Sequence, residues 1–104
     1  MHPYAEVWIE LVPTEQGGRR TAALLGSDTP GRYRPHLRVG SEGELLGVAF
    51  VDGPDEPLAP GHAAFATVRF LYDPQIDYSA LVEGAEFHIL EGTRIVGHGR
   101  VTRR

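Results

Sequence analysis

The strongest constraint on the fold is how often the chain is broken. Thirteen glycines and eight prolines are spread over 104 residues. Between them lie short runs of alternating apolar and polar residues, the pattern of an all-β barrel or sandwich. The clearest run is Tyr4 to Val12. There Ala5, Val7, Ile9 and Leu11 share one face and Tyr4, Glu6, Trp8 and Glu10 the other, so the first set is expected in the core. Further strands are expected at Arg19 to Leu25, Tyr33 to Val39, Glu44 to Val51 and His62 to Tyr72. In the last of these Ala64, Ala66, Val68 and Phe70 share a face. Ser27 to Gly31 and Asp52 to Gly61 read as loops, because proline and glycine suit turns. Pro35 confines its strand to an edge or irregular position. Asp73 to Gly84 is a long connection with room for a short helical turn at Ser79 to Val82.

Ala85 to Val101 is the best-defined hairpin, with Gly92-Thr93 at its tip between Glu91 and Arg94. Phe87 and Ile89 suit the core. On the return strand the large apolar residues Val96 and Val101 are five apart and cannot share a face of a regular pleat. A bulge at Gly97-His98-Gly99 would restore the parity. Counting back from the tip, His88 then faces Gly97 and His98 faces Phe87, which puts the two histidines on opposite faces.

A chain of this length makes one domain, residues 1–104, large enough for a single core. It has no cysteine, so disulfides and thiolate metal sites are excluded. It has no lysine either; all ten basic residues are arginine. That excludes a P-loop and a Schiff base, and no binding of GTP or ATP is expected. No apolar run approaches the ~20 residues of a membrane span. His2-Pro3-Tyr4 leads directly into the first strand, so a cytoplasmic protein is expected. The net charge of −4 is unevenly placed. Residues 15–40 carry five arginines against Glu15 and Asp28, and residues 94–104 carry four arginines and no acid. Residues 41–93 carry ten acids against Arg69. A basic patch on an acidic protein is therefore open to the fold.

Three segments carry a likeness: Thr14-Glu15-Gln16-Gly17-Gly18-Arg19-Arg20-Thr21, then Tyr33-Arg34-Pro35 with Arg38 beyond it, then Glu91-Gly92-Thr93-Arg94-Ile95-Val96-Gly97-His98-Gly99-Arg100-Val101. Their order and spacing resemble the C-terminal β-barrel domain of elongation factor Tu and related translation GTPases, from about Tyr4 to Thr102. The resemblance implies a closed antiparallel Greek-key barrel of about six strands, standing without its GTPase. It also implies a Gly-x-Gly in the last strand. The chain departs from the family pattern at His36 and Leu37, where that family has Gln and an aromatic residue, and in inserted stretches at Ser27 to Gly31 and Ser41 to Gly43.

Two candidate surfaces follow. In the resembled barrel, the strand after the Gly-Gly-Arg turn and the tip of the last hairpin meet the T-stem backbone of aminoacyl-tRNA. By that likeness Arg19, Arg20, Arg34, Arg38, Arg94 and Arg100 are candidates for an RNA or anionic-partner contact, and arginine's fork suits phosphate. The alternative is that they cap turns and pair with acids. If Leu45, Gly47, Ala49 and Val51 face inward, as the resemblance implies, then Leu46, Val48 and Phe50 face outward and join Trp8 as a candidate apolar interface.

His2, His36, His62, His88 and His98 match no zinc spacing, so no metal or cofactor is expected. No nucleophile or metalloprotease motif is present; Asp73, Asp77, Glu83 and Glu86 read as a solvated loop. The expected function is a non-enzymatic binding module with a protein partner or a second copy of itself. The alternatives are an accessory tRNA-binding protein of translation and, more weakly, a small hydrolase.

Overall fold

A computed structural model describes residues 3–26 and 32–104. It is an all-β closed barrel of six antiparallel strands. These are β1 (Tyr4–Leu11), β2 (His36–Arg38), β3 (Leu46–Asp52), β4 (Ala63–Phe70), β5 (Glu86–Glu91) and β6 (Arg94–Arg103). Around the barrel the order is β1-β4-β3-β2-β5-β6. Strands β2, β3 and β4 form a meander, and β1 returns beside β4, which is the Greek-key relationship. Closure leaves no open edge.

The core expected from alternation is present. Ala5, Val7, Ile9, Leu11, Val68, Phe70, Phe87 and Ile89 are all buried, and their neighbours Tyr4 and Glu6 point out. Two strand expectations change. Residues 19–25 form no barrel strand; a single bridge between Ala23 and Leu58 holds them, and Ala23 and Leu25 cap the core from outside the sheet. The strand expected over residues 33–39 is regular only at β2. Ahead of it, the Tyr33 and Pro35 carbonyls still accept from the Phe50 and Val48 N–H groups at 3.0 and 3.1 Å. Proline is tolerated there because only its carbonyl is used. The loop and insertion expected at 27–31, and His2, lie outside the described residues.

The expected facing of β3 is reversed. Leu46, Val48 and Phe50 are buried in the core, at 2 %, 0 % and 0 % exposure, so they are not an outer interface. The run is apolar at every position from Leu45 to Val51, so its periodicity does not choose a face, and a one-residue slip inverts all of it. Volume decides instead: Phe50 stacks on Tyr33 inside the barrel, centroids 5.7 Å apart. The small residues Gly47 and Ala49 turn outward. The Tyr72 ring covers Gly47, and the Tyr78 hydroxyl donates to the Gly47 carbonyl at 2.6 Å.

The last hairpin is as expected, with Glu91 opposite Arg94 and Gly92 at φ +62°. It has its bulge, but at Val96: Ile89 faces Gly97 while Leu90 faces Ile95. Val96 and Val101 are both buried as a result. The shift also places His88 directly opposite His98, both exposed on the outer face, rather than on opposite faces. Gly99 sits where a Cβ would lie 2.2 Å from the Trp8 carbonyl and 2.8 Å from the Phe87 ring. Glycine is therefore required for β6 to bend against β1. At the C-terminus, Arg104 lies over the Phe70 ring, 4.6 Å from its centroid, and donates to the Tyr78 and Leu81 carbonyls at 3.0 Å each. That ties the 71–85 connection to the barrel.

Candidate functional site

The two basic segments at opposite ends of the chain do come together. After β1 a short 3₁₀ turn, Thr14–Gln16, ends at Gly17 with φ 95°. Gly18 then passes so close to the Val12 carbonyl that a Cβ would lie 1.9 Å from it. This tight return carries Arg19 to the tip of the β5–β6 hairpin. Arg19 pairs with Glu91 and lies over the Tyr33 ring, 4.6 Å from its centroid. The Tyr33 hydroxyl donates to the same Glu91 oxygen at 2.5 Å. Burial opposes the charge on Arg19, but the bond to Glu91 and the neighbouring Tyr33 outweigh it, and its pKa is raised. Burial, then the bond to Glu91, pushes the Tyr33 phenol well above its usual range, so it remains a donor.

Arg94 reaches across to the same turn. Its Nε donates to the Gly17 carbonyl at 3.2 Å and its Nη2 to the Gly18 carbonyl at 2.5 Å. Arg19 and Arg94 thus fasten one end of the barrel, and their forks are occupied. The other candidate arginines do not gather there as one patch. Arg20 is exposed beside the turn. Arg38 stands opposite His88, Arg100 lies opposite Trp8 and Glu86, and Arg34 runs beside β3.

A different surface is assembled on the outside of β4, β1, β6 and β5. Phe65, Trp8, Arg100 and Glu86 stand in one cross-strand row. Ala63, Glu10, His98, His88 and Arg38 make the next. Phe65 is 70 % exposed. Trp8 is half-buried and meets His98 edge-on, centroids 5.9 Å apart. His98 Nε2 lies 3.3 Å from Glu10 Oε1. Trp8, Phe65, Glu86, His98, Gly99 and Arg100 line a shallow groove of about 450 Å³. Trp8 is the one residue of the expected apolar interface that belongs to this surface. Phe65 takes the place of the β3 residues, and its outward direction follows from the parity of Ala64 and Ala66.

Among the described residues, no three His, Asp or Glu side chains come together as a metal site. In the acidic connection, Asp77 accepts from the Ser79 N–H at 2.9 Å, which holds its carboxyl below the usual range. That is a turn cap rather than a poised general acid. No helix among the described residues is long and apolar enough to cross a membrane. No protein-family model matches this chain.

Proposed function

We propose that this barrel is a cytoplasmic, non-enzymatic binding module that docks a protein surface on its Trp8–Phe65 face. The observation that carries the reading is the directly opposed pair Trp8 and Phe65 on the outside of a closed barrel. The large apolar residues of β3 that faced either way in the sequence are buried instead. Aromatic residues and arginine are the side chains that dominate protein interfaces. The rim here mixes signs, with Glu6, Glu10 and Glu86 interleaved among Arg100, Arg103 and His98.

That mixture favours protein over RNA. A phosphate backbone laid on this face would meet three carboxylates, and affinity for nucleic acid rests on neutralising phosphates. The likeness to a translation-factor barrel keeps tRNA as the second reading. The observation in its favour is that the Gly17–Arg19 turn and the Arg94 tip adjoin, with Arg20 exposed beside them.

Photo-crosslinking in the cells that make the protein tests both. A photoreactive residue at Phe65 should yield adducts to a protein or to a second copy of the chain, and the same probe at the exposed Val82 should not. Adducts to RNA from a probe at Arg20, with none from Phe65, would favour the second reading. Failure of Phe65 to crosslink any protein more than Val82 does would overturn the first.

A further inference from the structure

We propose that the start of β4, Ala63 to Phe65, takes up an extended segment of the partner protein as an added strand, and that this segment alternates basic and apolar residues. The inference rests on the docking reading above and names the form of the partner. Closure removes every edge strand, yet β4 outruns β3 at one end. The backbone bonds show which way each residue of β4 points. The Leu11 N–H donates to the His62 carbonyl at 3.0 Å and the Phe70 N–H to the Pro3 carbonyl at 2.8 Å, both on the β1 side. The Leu71 N–H donates to the Gly47 carbonyl at 3.1 Å, on the β3 side. The register of β1 with β4 runs without a shift from the Tyr4–Arg69 pair to the Glu10–Ala63 pair. In an antiparallel ladder both polar groups of a residue face the same neighbour, and successive residues alternate. The even-numbered residues of β4 therefore bond toward β1, and Ala63, Phe65, Thr67 and Arg69 turn toward β3.

β3 ends before it reaches all of them. Its last pair is Asp52 with Thr67. Asp52 then accepts from the Gly53 N–H at 3.0 Å, Pro54 follows, and the strand is over. Ala63 and Phe65 are left with an N–H and a C=O each, and no hydrogen bond among the described residues reaches these groups. Both residues lie open. Ala63 is exposed and Phe65 is 70 % exposed, and Asp52, Gly53, Phe65 and Thr67 border a recess of about 330 Å³. Ala64 faces inward but is only half-buried, so the core is partly uncovered where β3 stops. Unpaired strand groups of this kind are a template for a further strand.

The occupant follows from what surrounds this overhang. A residue opposite Phe65 on an added strand shares its outer face. There it meets Glu6 and Asp52, which flank Thr67 and are exposed. Asp55 and Glu56, also exposed, stand on the loop that leaves β3 at this point. The arginines of the face, Arg100 and Arg103, stand on β6, two strands away, and Arg69 lies where β3 still pairs with β4. Basic residues therefore suit the outward positions of the segment, where they also reach the Phe65 ring. The alternate residues turn toward Ala64 and should be apolar. A second copy of the chain is disfavoured, because pairing two of these overhangs sets acid against acid.

The test follows the Ala63 and Phe65 amides by NMR shift and hydrogen exchange. The probes are end-capped hexapeptides: alternating Arg-Val, alternating Glu-Val, and the Arg-Val peptide N-methylated either at every arginine or at every valine. Both amides should exchange freely in the protein alone. The Arg-Val peptide should shift them saturably and slow their exchange about tenfold or more. An arginine opposite Phe65 turns its N–H toward β4, and a valine turns its N–H away. Methylation at arginine should therefore weaken binding about tenfold or more, and methylation at valine should leave it unchanged. The Glu-Val peptide should also bind about tenfold more weakly or worse. In cells, Ala63→Pro deletes an N–H that no ladder uses and should remove the protein adducts of a photoreactive residue at Phe65. Adducts that persist in Ala63→Pro would overturn strand addition and leave the docking face standing. A Phe65 probe that yields no protein adduct even without Ala63→Pro would overturn the docking reading, and the peptides then decide strand addition alone. They also decide it where Ala63→Pro fails to fold. The proposal is overturned by amides already protected in the free protein, by the absence of a saturable shift, by equal binding of the two methylated peptides, or by an acidic peptide that binds as tightly as the basic one.

Discussion

Arg19 and Glu91 stand 72 positions apart and form an ion pair with side chains only 18 % and 36 % exposed. The pair joins the turn after the first strand to the tip of the last hairpin. Glu91 also accepts from Tyr33, so one carboxylate holds three distant parts of the chain. Arginines that looked like a contact surface in the sequence are in this corner a fastening.

Removing the acceptor should therefore destabilise the barrel more than removing an ordinary surface ion pair. Glu91→Ala leaves both a guanidinium and a phenol without their partner. It should cost about 2–3 kcal/mol, since charge-assisted bonds to half-buried groups are worth more than exposed pairs. Glu91→Gln, which can still accept from Tyr33, should cost less. Urea denaturation of the two variants checks the order and the size.

Gly18→Ala should be among the most damaging single substitutions. A Cβ there would sit 1.9 Å from the Val12 carbonyl, 2.7 Å from the Val12 carbonyl carbon and 2.8 Å from the Pro13 carbonyl. All are backbone, so nothing can rotate away, and the turn that delivers Arg19 must move. A loss of about 3 kcal/mol or more is expected. Gly17→Ala meets no atom but has φ +95°, and should cost about 1–2 kcal/mol. Thermal denaturation of the two, side by side, separates collision from conformational strain.

How far the sequence could be read depended on contrast between the two faces of each strand. β1 alternates large apolar with polar residues, and its facing was legible residue by residue. β3 is apolar on both faces because its outer side is also covered, by Tyr72 over Gly47, so alternation carried no information. The need for a bulge was legible from the spacing of Val96 and Val101, but its position was not. Moving it to Val96 brought His88 and His98 face to face. Phe65 was readable by parity, as the odd residue between Ala64 and Ala66. The placement of Arg34 and Arg69 on either side of Ala49 was not readable, because the two ladders of β3 that set it join distant parts of the chain. The pairing of Arg19 with Glu91 likewise needed the closed barrel.

Stability should fall as the solution becomes alkaline. The folded pKa of Tyr33 is raised well above that of an exposed phenol, by burial and then by its bond to Glu91. Below pH ~10 the phenol is protonated in both states, and its contribution is complete. Above that, the unfolded chain loses the proton while the folded one keeps it, so unfolding is favoured by up to about 1.4 kcal/mol per pH unit. Buried Tyr78 shifts in the same direction. Tyr33→Phe should lose about 1 kcal/mol at pH 8 with its hydrogen bond, yet show a shallower decline between about pH 10 and 11. Urea titrations at those pH values measure the slope. Equal slopes for the two proteins would show that Tyr33 ionises freely in the fold.

Glutamate at two positions should have opposite consequences, and the contrast tests both the facing of β3 and the docking face. Val48 is fully buried; Val48→Glu places a carboxylate in the barrel core with no partner, at a cost above about 4 kcal/mol, enough to unfold a domain of this size. Phe65 is 70 % exposed and opposes Trp8. Phe65→Glu forfeits one cross-strand aromatic contact, about 1 kcal/mol or less, and should leave a folded barrel. It should nonetheless abolish association through this face, because a charge replaces the centre of the apolar patch. Circular dichroism reports the fold, and sedimentation velocity together with crosslinking from a probe near Trp8 reports association. A folded Val48→Glu protein would mean that β3 faces the other way. A Phe65→Glu protein that still binds its partner with unchanged affinity would remove the Trp8–Phe65 face as the docking surface, whatever its effect on stability.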